Sequence, residues 1–205
     1  MEQREYEIAV RRTLPDLGRT ANFSHMVMGI LTEMDEYNNN TSHLNREEEL
    51  GDILWYVYNL SYFESIVLTN YSRLSPHQLS VSGYITNGYQ QLADILYKTS
   101  NRNISPLYSA EKVTLLLLDI AKKYLAYGKE PDRTFVRTCL EIIQLAVHKE
   151  ALGMAIYMGS AYDKVIAKLM KRFPDKFDPE KAINRDTDAE IKAMLDTGHT
   201  TELPG

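Results

Sequence analysis

The sequence predicts an all-α fold, a bundle of helices, and two observations carry that expectation. Glycine (10) and proline (7) are sparse among the 205 residues, and several long segments repeat apolar residues at a spacing near 3.6 rather than 2. The first helix is expected from Asn22 to Tyr37, where Phe23, Met26, Val27, Ile30, Leu31 and Met34 form one apolar stripe. The run NNNTSHLN, residues 38–45, ends it with residues that prefer turns and caps. A second helix is expected from Arg46 to about Leu68. Leu50, Ile53, Leu54, Val57 and Leu60 cover one side of it, and Trp55, Tyr56, Tyr62 and Phe63 much of the other. A helix apolar on both sides belongs at the centre of a bundle. A weaker helical pattern follows over Tyr89–Thr99. After the loop SNRNISPLYS, two helices fit Ala110–Tyr127 and Arg133–Tyr157, parted by the turn GKEPD, and a last one fits Tyr162–Arg172, before Pro174. The chain after Asp186 is polar and reads as a tail.

Composition excludes several classes of function. Hydrophobic residues make up 44% and charged residues 25%, the balance of a globular protein. The net charge of −5 supplies no global field for nucleic acid or anionic lipid, so neither nucleic acid nor a membrane is an expected partner. The longest apolar run, VTLLLLDI (Val113–Ile120), falls far short of the ~20 residues of a membrane span. The opening stretch MEQREYEIAVRRTLPDL lacks the apolar core of a signal peptide, and the single cysteine, Cys139, has no intrachain partner for a disulfide. A cytoplasmic location is the resulting expectation.

The chemistry concentrates in four acids. Glu33 and Glu36 are three residues apart, as are Glu49 and Asp52, so each pair projects from one side of its helix. Asp35 and Glu48 are expected to point elsewhere. Two antiparallel helices joined by a short polar turn bring the pairs face to face. Four carboxylates in a partly dry space repel one another and raise one another's pKa values, so the arrangement calls for a cation between them. Hard divalent ions such as Mg²⁺ take oxygen ligands of this kind together with substrate phosphates. Spacing alone also fits acids on a solvated helix face, or acids favoured by the dipole of a first turn.

Two motifs carry a resemblance. ILTEMDEY (Ile30–Tyr37), followed by EELGDILWY (Glu48–Tyr56) with Glu49 thirteen residues beyond Glu36 (49 − 36), resembles the signature of the all-α nucleoside triphosphate pyrophosphohydrolases of the MazG-like family, related to the dimeric dUTPases. KLMKRFPDKFDPEKAINRD (Lys168–Asp186) is similar to the segment that closes many MazG-like domains. The resemblance implies that Glu33, Glu36, Glu49 and Asp52 hold two or more Mg²⁺ ions, with Mn²⁺ able to substitute. It implies attack by water between the α and β phosphates, releasing a nucleoside monophosphate and pyrophosphate, with Glu36 or Glu49 orienting the water. The substrate is then a nucleoside triphosphate and the role nucleotide-pool control.

The stretch Leu115–Ile143 also resembles a MazG-like domain, but the acid positions fall on Val113, Leu116, Cys139 and Ile142, all apolar. The resemblance therefore implies a fused pseudo-dimer: residues 18–105 carry the metal site, 108–187 form a degenerate half, and 188–205 a polar C-terminal tail. The assembly is an intrachain pseudo-dimer or a homo-oligomer. The degenerate half offers Lys168, Arg172 and Arg185 as substrate-binding candidates. Val165 stands where the family often has Asn, and the segment from Thr69 to Leu107 matches nothing in the family; it sets base selectivity or caps the bundle. The five histidines show no metal spacing, Cys139 is expected to be buried and inert, and the aromatics of the second helix are expected in the core. No G-x-x-x-x-G-K-[ST] loop is present. Competing readings are a dUTPase-like enzyme of narrow base choice and a helical interaction module without chemistry.

Overall fold

The computed structural model describes residues 1–81, 83–100 and 105–197, and among these the regular structure is helical throughout. The helices are α1 (Gln3–Ala9), α2 (Arg19–Asn39), α3 (His43–Phe63), α4 (Pro76–Val81), α5 (Gln90–Ser100), α6 (Pro106–Tyr127), α7 (Arg133–Gly153), α8 (Met158–Arg172), α9 (Pro179–Ile183) and α10 (Thr187–Asp196), with single 3₁₀ turns at Val10–Thr13 and Tyr71–Arg73. Capping residues set several of these boundaries. The Ser105 side chain accepts from the Leu107 amide ahead of Pro106, and Asp132 accepts from Thr134 and Phe135 to start α7. Gly128 closes α6 at φ 64°, in the left-handed region that glycine enters without a Cβ penalty.

Two antiparallel hairpins form the centre. α2 pairs with α3, α6 with α7, and the hairpins meet through α2 on α6 and α3 on α7. α8 then lies against α3, α10 against α8, and α4 and α5 cover α7 and α6. A single apolar cluster runs from Tyr6 to Phe173, so both halves of the chain share one core. The predicted stripe of α2 is buried at Phe23, Met26, Val27, Ile30 and Met34, and α3 is central, with Leu50, Ile53, Leu54, Val57 and Leu60 inaccessible to solvent.

The hairpins match in build. α2, α3 and α7 are each 21 residues long and α6 is 22. α3 and α7 also end alike. Ser65 (φ 50°) and Ala155 (φ 55°) take the left-handed conformation, and the next amides turn back, Ile66 to the Ser61 carbonyl at 2.7 Å and Ile156 to that of Ala151 at 2.8 Å. Ile66 and Ile156 each stand 23 residues after the first residue of their helix (66 − 43 and 156 − 133). These caps stop the helices short of Leu68 and Tyr157; because neither uses glycine, the apolar pattern gave no sign of them. Counting back from the inter-helix turns shifts one correspondence: Glu33 and Glu36 lie six and three residues before the end of α2, and those offsets from the end of α6 fall on Ala121 and Tyr124 rather than Val113 and Leu116. All four of those α6 residues pack into or against the core, as do Cys139 and Ile142.

The two ends of the chain depart from expectation. Residues before Asn22 carry no long apolar pattern, yet α1 inserts Tyr6, which stacks on Tyr162 (centroids 4.3 Å apart) and donates to the Gly51 carbonyl at 3.0 Å. Arg12 donates to the carbonyls of Phe173, Pro174 and Asp175 at 2.9, 2.7 and 3.2 Å, tying this segment to the end of α8. The polar stretch after Asp186 is a helix, α10, started by the Asp186 carboxylate on the Ala189 amide and packed on α8 with Met194 and Glu190 buried. Residues 198–205 lie outside the described residues.

Gly51 explains how α8 comes so close to α3. A Cβ at that position would lie 2.6 Å from Val165 Cγ2 and 3.0 Å from the Ala161 carbonyl oxygen. Gly51→Ala is expected to cost about 1–3 kcal/mol through overpacking of the α3–α8 contact, measured as a lowered denaturant midpoint with an unchanged slope. A neutral substitution would remove this account of the glycine.

Candidate active site

The turn between α2 and α3 fastens the first acids in place. Asn40 donates to Glu49 at 3.1 Å, while its own carbonyl accepts from Arg46 at 2.7 Å and its side-chain oxygen from Asn45 at 3.1 Å. From the other side, the close approach at Gly51 presents Lys164, Lys168 and Arg172 of α8, spaced i, i+4, i+8 along one stripe. Lys164 pairs with Glu47 at 2.9 Å, and Lys168 is sunk between Glu48 and Asp52, donating to both.

Of these residues Glu48, Glu49, Asp52, Lys168 and Arg172 open onto a cavity of about 360 Å³. One wall is acidic, with Glu33, Glu36, Glu48, Glu49 and Asp52; Lys168, Arg172 and Arg185 supply positive charge; His25, Trp55, Tyr56, Phe173 and Phe177 supply aromatic surface. Two overlapping groups, Glu33–Glu36–Glu49 and Glu48–Glu49–Asp52, each bring one oxygen per carboxylate within 4.8 Å of the others. The aromatic wall is interlocked: Trp55 meets Tyr56 edge-on at 4.7 Å, His25 meets Tyr56 edge-on at 5.7 Å, and Trp55 Nε1 donates to Thr13 at 3.2 Å.

Crowding leaves its mark on protonation. Burial first, then a hydrogen bond with Glu49, pushes the Glu33 carboxyl up to about 8. Burial, then the charges of Glu48 and Asp52, pushes Glu49 up to about 8 as well. Burial pushes Glu48 up too, but the Lys168 ammonium more than reverses it and leaves Glu48 below the ordinary value. For Asp52, burial outweighs the pull of Lys168, and Glu48 and Glu33 add to the push. Burial alone would lower the Lys168 ammonium, whereas Asp52 and Glu48 hold it firmly charged. The lysine is thus an internal counter-ion that favours the charged form of Glu48 and offsets the burial of Asp52 only in part. Clustered oxygen donors held partly dry and in mutual conflict are the ligand set that a hard divalent cation accepts, so the residues present fit Mg²⁺ or Mn²⁺.

All four acids picked from the sequence line this one cavity, and Glu48, expected to point elsewhere, joins them. Its i, i+4 relation to Asp52 was visible, but α3 faces α2 on one side and α8 on the other, so a broader arc of the helix opens onto the site than one apolar stripe suggests. Lys168 is engaged with the acids, whereas Arg172 and Arg185 face the cavity from the end of α8 and the segment after α9. Trp55 belongs to the apolar core and Tyr56 packs against it, as expected, and both also line the cavity, as does His25. Val165 lies buried against Gly51 and does not line it. No described residue of the segment from Thr69 to Leu107 lines it either; α4 and α5 cover the far hairpin instead. Cys139 is buried, and burial raises its thiol, in keeping with an inert cysteine. Comparisons with protein-family models, with curated proteins and with solved structures return no match to this chain. Among the described residues, no helix is long and apolar enough to cross a membrane.

The raised carboxyls tie stability to pH. Glu33 and Glu49 ordinarily titrate at 4.5 and here at about 8, so the folded state keeps protons the unfolded chain has lost, and stability falls as pH rises from 4.5 to 8. His148, pushed by burial from 6.5 down to about 4, acts in the opposite sense, costing stability as pH falls from 6.5 to 4. Between pH 6.5 and 8 only the carboxylates of this set act. The metal-free protein should therefore lose unfolding free energy over that window in denaturant titrations, and Glu33→Gln should flatten the slope; a wild-type profile already flat would contradict these assignments. Lys168→Met should cost about 3–5 kcal/mol in metal-free buffer near neutral pH, the usual penalty for stripping one partner from a buried ion pair, read by the same titrations.

Proposed function

We propose that the protein is a divalent-metal-dependent nucleoside triphosphate pyrophosphohydrolase, converting a (d)NTP and water into a (d)NMP and pyrophosphate. The observation that carries this reading is the meeting of three chemistries in one cavity: two linked carboxylate groups, a pair of guanidiniums, and an aromatic wall. Each matches one part of a nucleotide, respectively the cations it travels with, its phosphates and its base. The MazG-like motifs in the sequence support the same reading.

Glu49 belongs to both carboxylate groups and is the ligand that two cation positions would share, with Glu33 and Glu36 completing one and Glu48 and Asp52 the other. Bound divalent cations neutralise phosphate charge and lower the pKa of an attacking water. Glu36, the solvent-exposed member, is poised to orient that water and to take its proton. The new bond joins the water oxygen to the α-phosphorus, and the bond broken joins the α-phosphorus to the α,β-bridging oxygen, so pyrophosphate leaves with the electron pair. Arg172 and Arg185 hold the phosphates by charge-assisted hydrogen bonds. Trp55 and Tyr56 offer ring faces and edges to the base.

Pyrophosphate release from a panel of (d)NTPs, with Mg²⁺ and with EDTA, tests the proposal. Release should require the metal, and Glu36→Ala and Asp52→Ala should each lower kcat at least about a hundredfold with helicity retained by circular dichroism. Activity indifferent to both EDTA and these substitutions would overturn it, and no release from any (d)NTP would leave the interaction-module reading in its place.

A further inference from the structure

Arg172 and Arg185 come from different segments, yet among the described residues both have the same ion-pair partner, Glu190 of α10. Arg172 meets it as a fork, Nε donating to one carboxylate oxygen at 2.8 Å and Nη2 to the other at 2.6 Å, and Arg185 Nη2 donates to that second oxygen at 3.0 Å. Glu190 is only 3% exposed. Both arginines line the cavity and the glutamate does not, so the carboxylate stands behind the guanidiniums rather than in front of them.

This arrangement leaves the arginines equipped for a second anion. A guanidinium carries five N–H donors; Arg172 spends two on Glu190 and Arg185 spends one. Two positive charges against one negative leave this wall of the cavity net cationic. Two guanidiniums without a shared counter-ion would repel and sample many rotamers, and each would lose that freedom on binding. Here the loss has been taken in folding, because α10 is capped by Asp186 next to Arg185 and packs on α8 with Met194 buried. Arg172 also continues the α8 stripe one turn beyond Lys168, about 6 Å further along the helix axis, so the paired guanidiniums lie next to the acidic wall along the course a polyphosphate would take away from it.

We propose that Glu190 is a positioning residue that holds Arg172 and Arg185 as a two-guanidinium clamp for the pyrophosphate end of the substrate. The proposal rests on the nucleotide reading for the identity of the natural anion, and its test separates the two. Inorganic pyrophosphate is titrated calorimetrically into the intact chain, once with Mg²⁺ and once with EDTA, and Mg²⁺ is titrated alone. Wild type is expected to bind pyrophosphate in at least one condition. Glu190→Gln should weaken that binding roughly tenfold or more, the scale of losing charge-assisted hydrogen bonds, while leaving Mg²⁺ affinity unchanged; Arg172→Lys, which keeps the charge but not the fork, should do likewise. In turnover, Glu190→Gln should raise KM and leave kcat unchanged, and Glu190→Asp should recover part of the loss. Pyrophosphate affinity that is absent in wild type, or unchanged or tighter in Glu190→Gln, overturns the clamp, as does an equal loss of Mg²⁺ affinity, which would mark Glu190 as a general structural prop. If Glu190→Gln fails to fold, Arg172→Lys decides alone. Pyrophosphate binding that responds to these variants, without (d)NTP hydrolysis, would sink the hydrolase reading and leave the clamp standing.

Discussion

Charge compensation across the α3–α8 contact is the constraint on which the rest of the architecture turns. Carboxylates at Glu47, Glu48 and Asp52 sit where a bundle normally places apolar residues, and ions cannot enter such a space unpaired without a cost of several kcal/mol each. Gly51 lets the helix axes approach, and the approach delivers Lys164 to Glu47 and Lys168 to Glu48 and Asp52. Tyr6 supports the contact from outside, bonded to the Gly51 carbonyl and stacked on Tyr162. The compensation is incomplete: Asp52 stays raised beside Lys168, and Glu33 and Glu49, which have no ion-pair partner among the described residues, remain pushed up to about 8.

The two hairpins share a plan and differ in what fills it. α2, α3 and α7 are 21 residues long and α6 is 22, and α3 and α7 end alike, in left-handed residues at Ser65 and Ala155. In the first hairpin the inner surface near the turn carries acids; in the second the corresponding surface carries Ala121, Tyr124, Cys139 and Ile142 and closes into core. An apolar surface there carries none of the desolvation cost of buried ions, and the second hairpin backs the first through the shared core. α8, which follows it in the chain, contributes the cations. The cavity is therefore assembled from both halves.

Placing the cations on α8 also separates the roles of three residues that look alike in sequence. Lys164 and Lys168 are spent within the protein, as partners of buried acids. Arg172, two turns beyond Lys164, reaches past the acids and is held by Glu190 instead. Which partner each of three similarly spaced cations takes is decided by what stands opposite it.

The helical class, the α2 stripe, the centrality of α3 and the four acids could all be read from the chain, because 3.6-residue periodicity and i, i+3 spacing are local and survive without knowledge of neighbours. Glu48, the aromatic face of Trp55 and Tyr56, and the burial of Lys168 could not, since a helix apolar on two sides does not reveal which side meets α2 and which meets α8. α1 and α10 were illegible for a different reason: each is short and polar, and its few buried residues, Gln3 and Tyr6 in α1 and Glu190 and Met194 in α10, are covered by other segments. Local sequence determined which residues share a helix face; only the packing of α8 on α3 and of α10 on α8 decided which of those faces meet, because charge pairing and desolvation depend on distances between separate segments, 117 residues apart for Glu47 and Lys164 and 18 for Arg172 and Glu190.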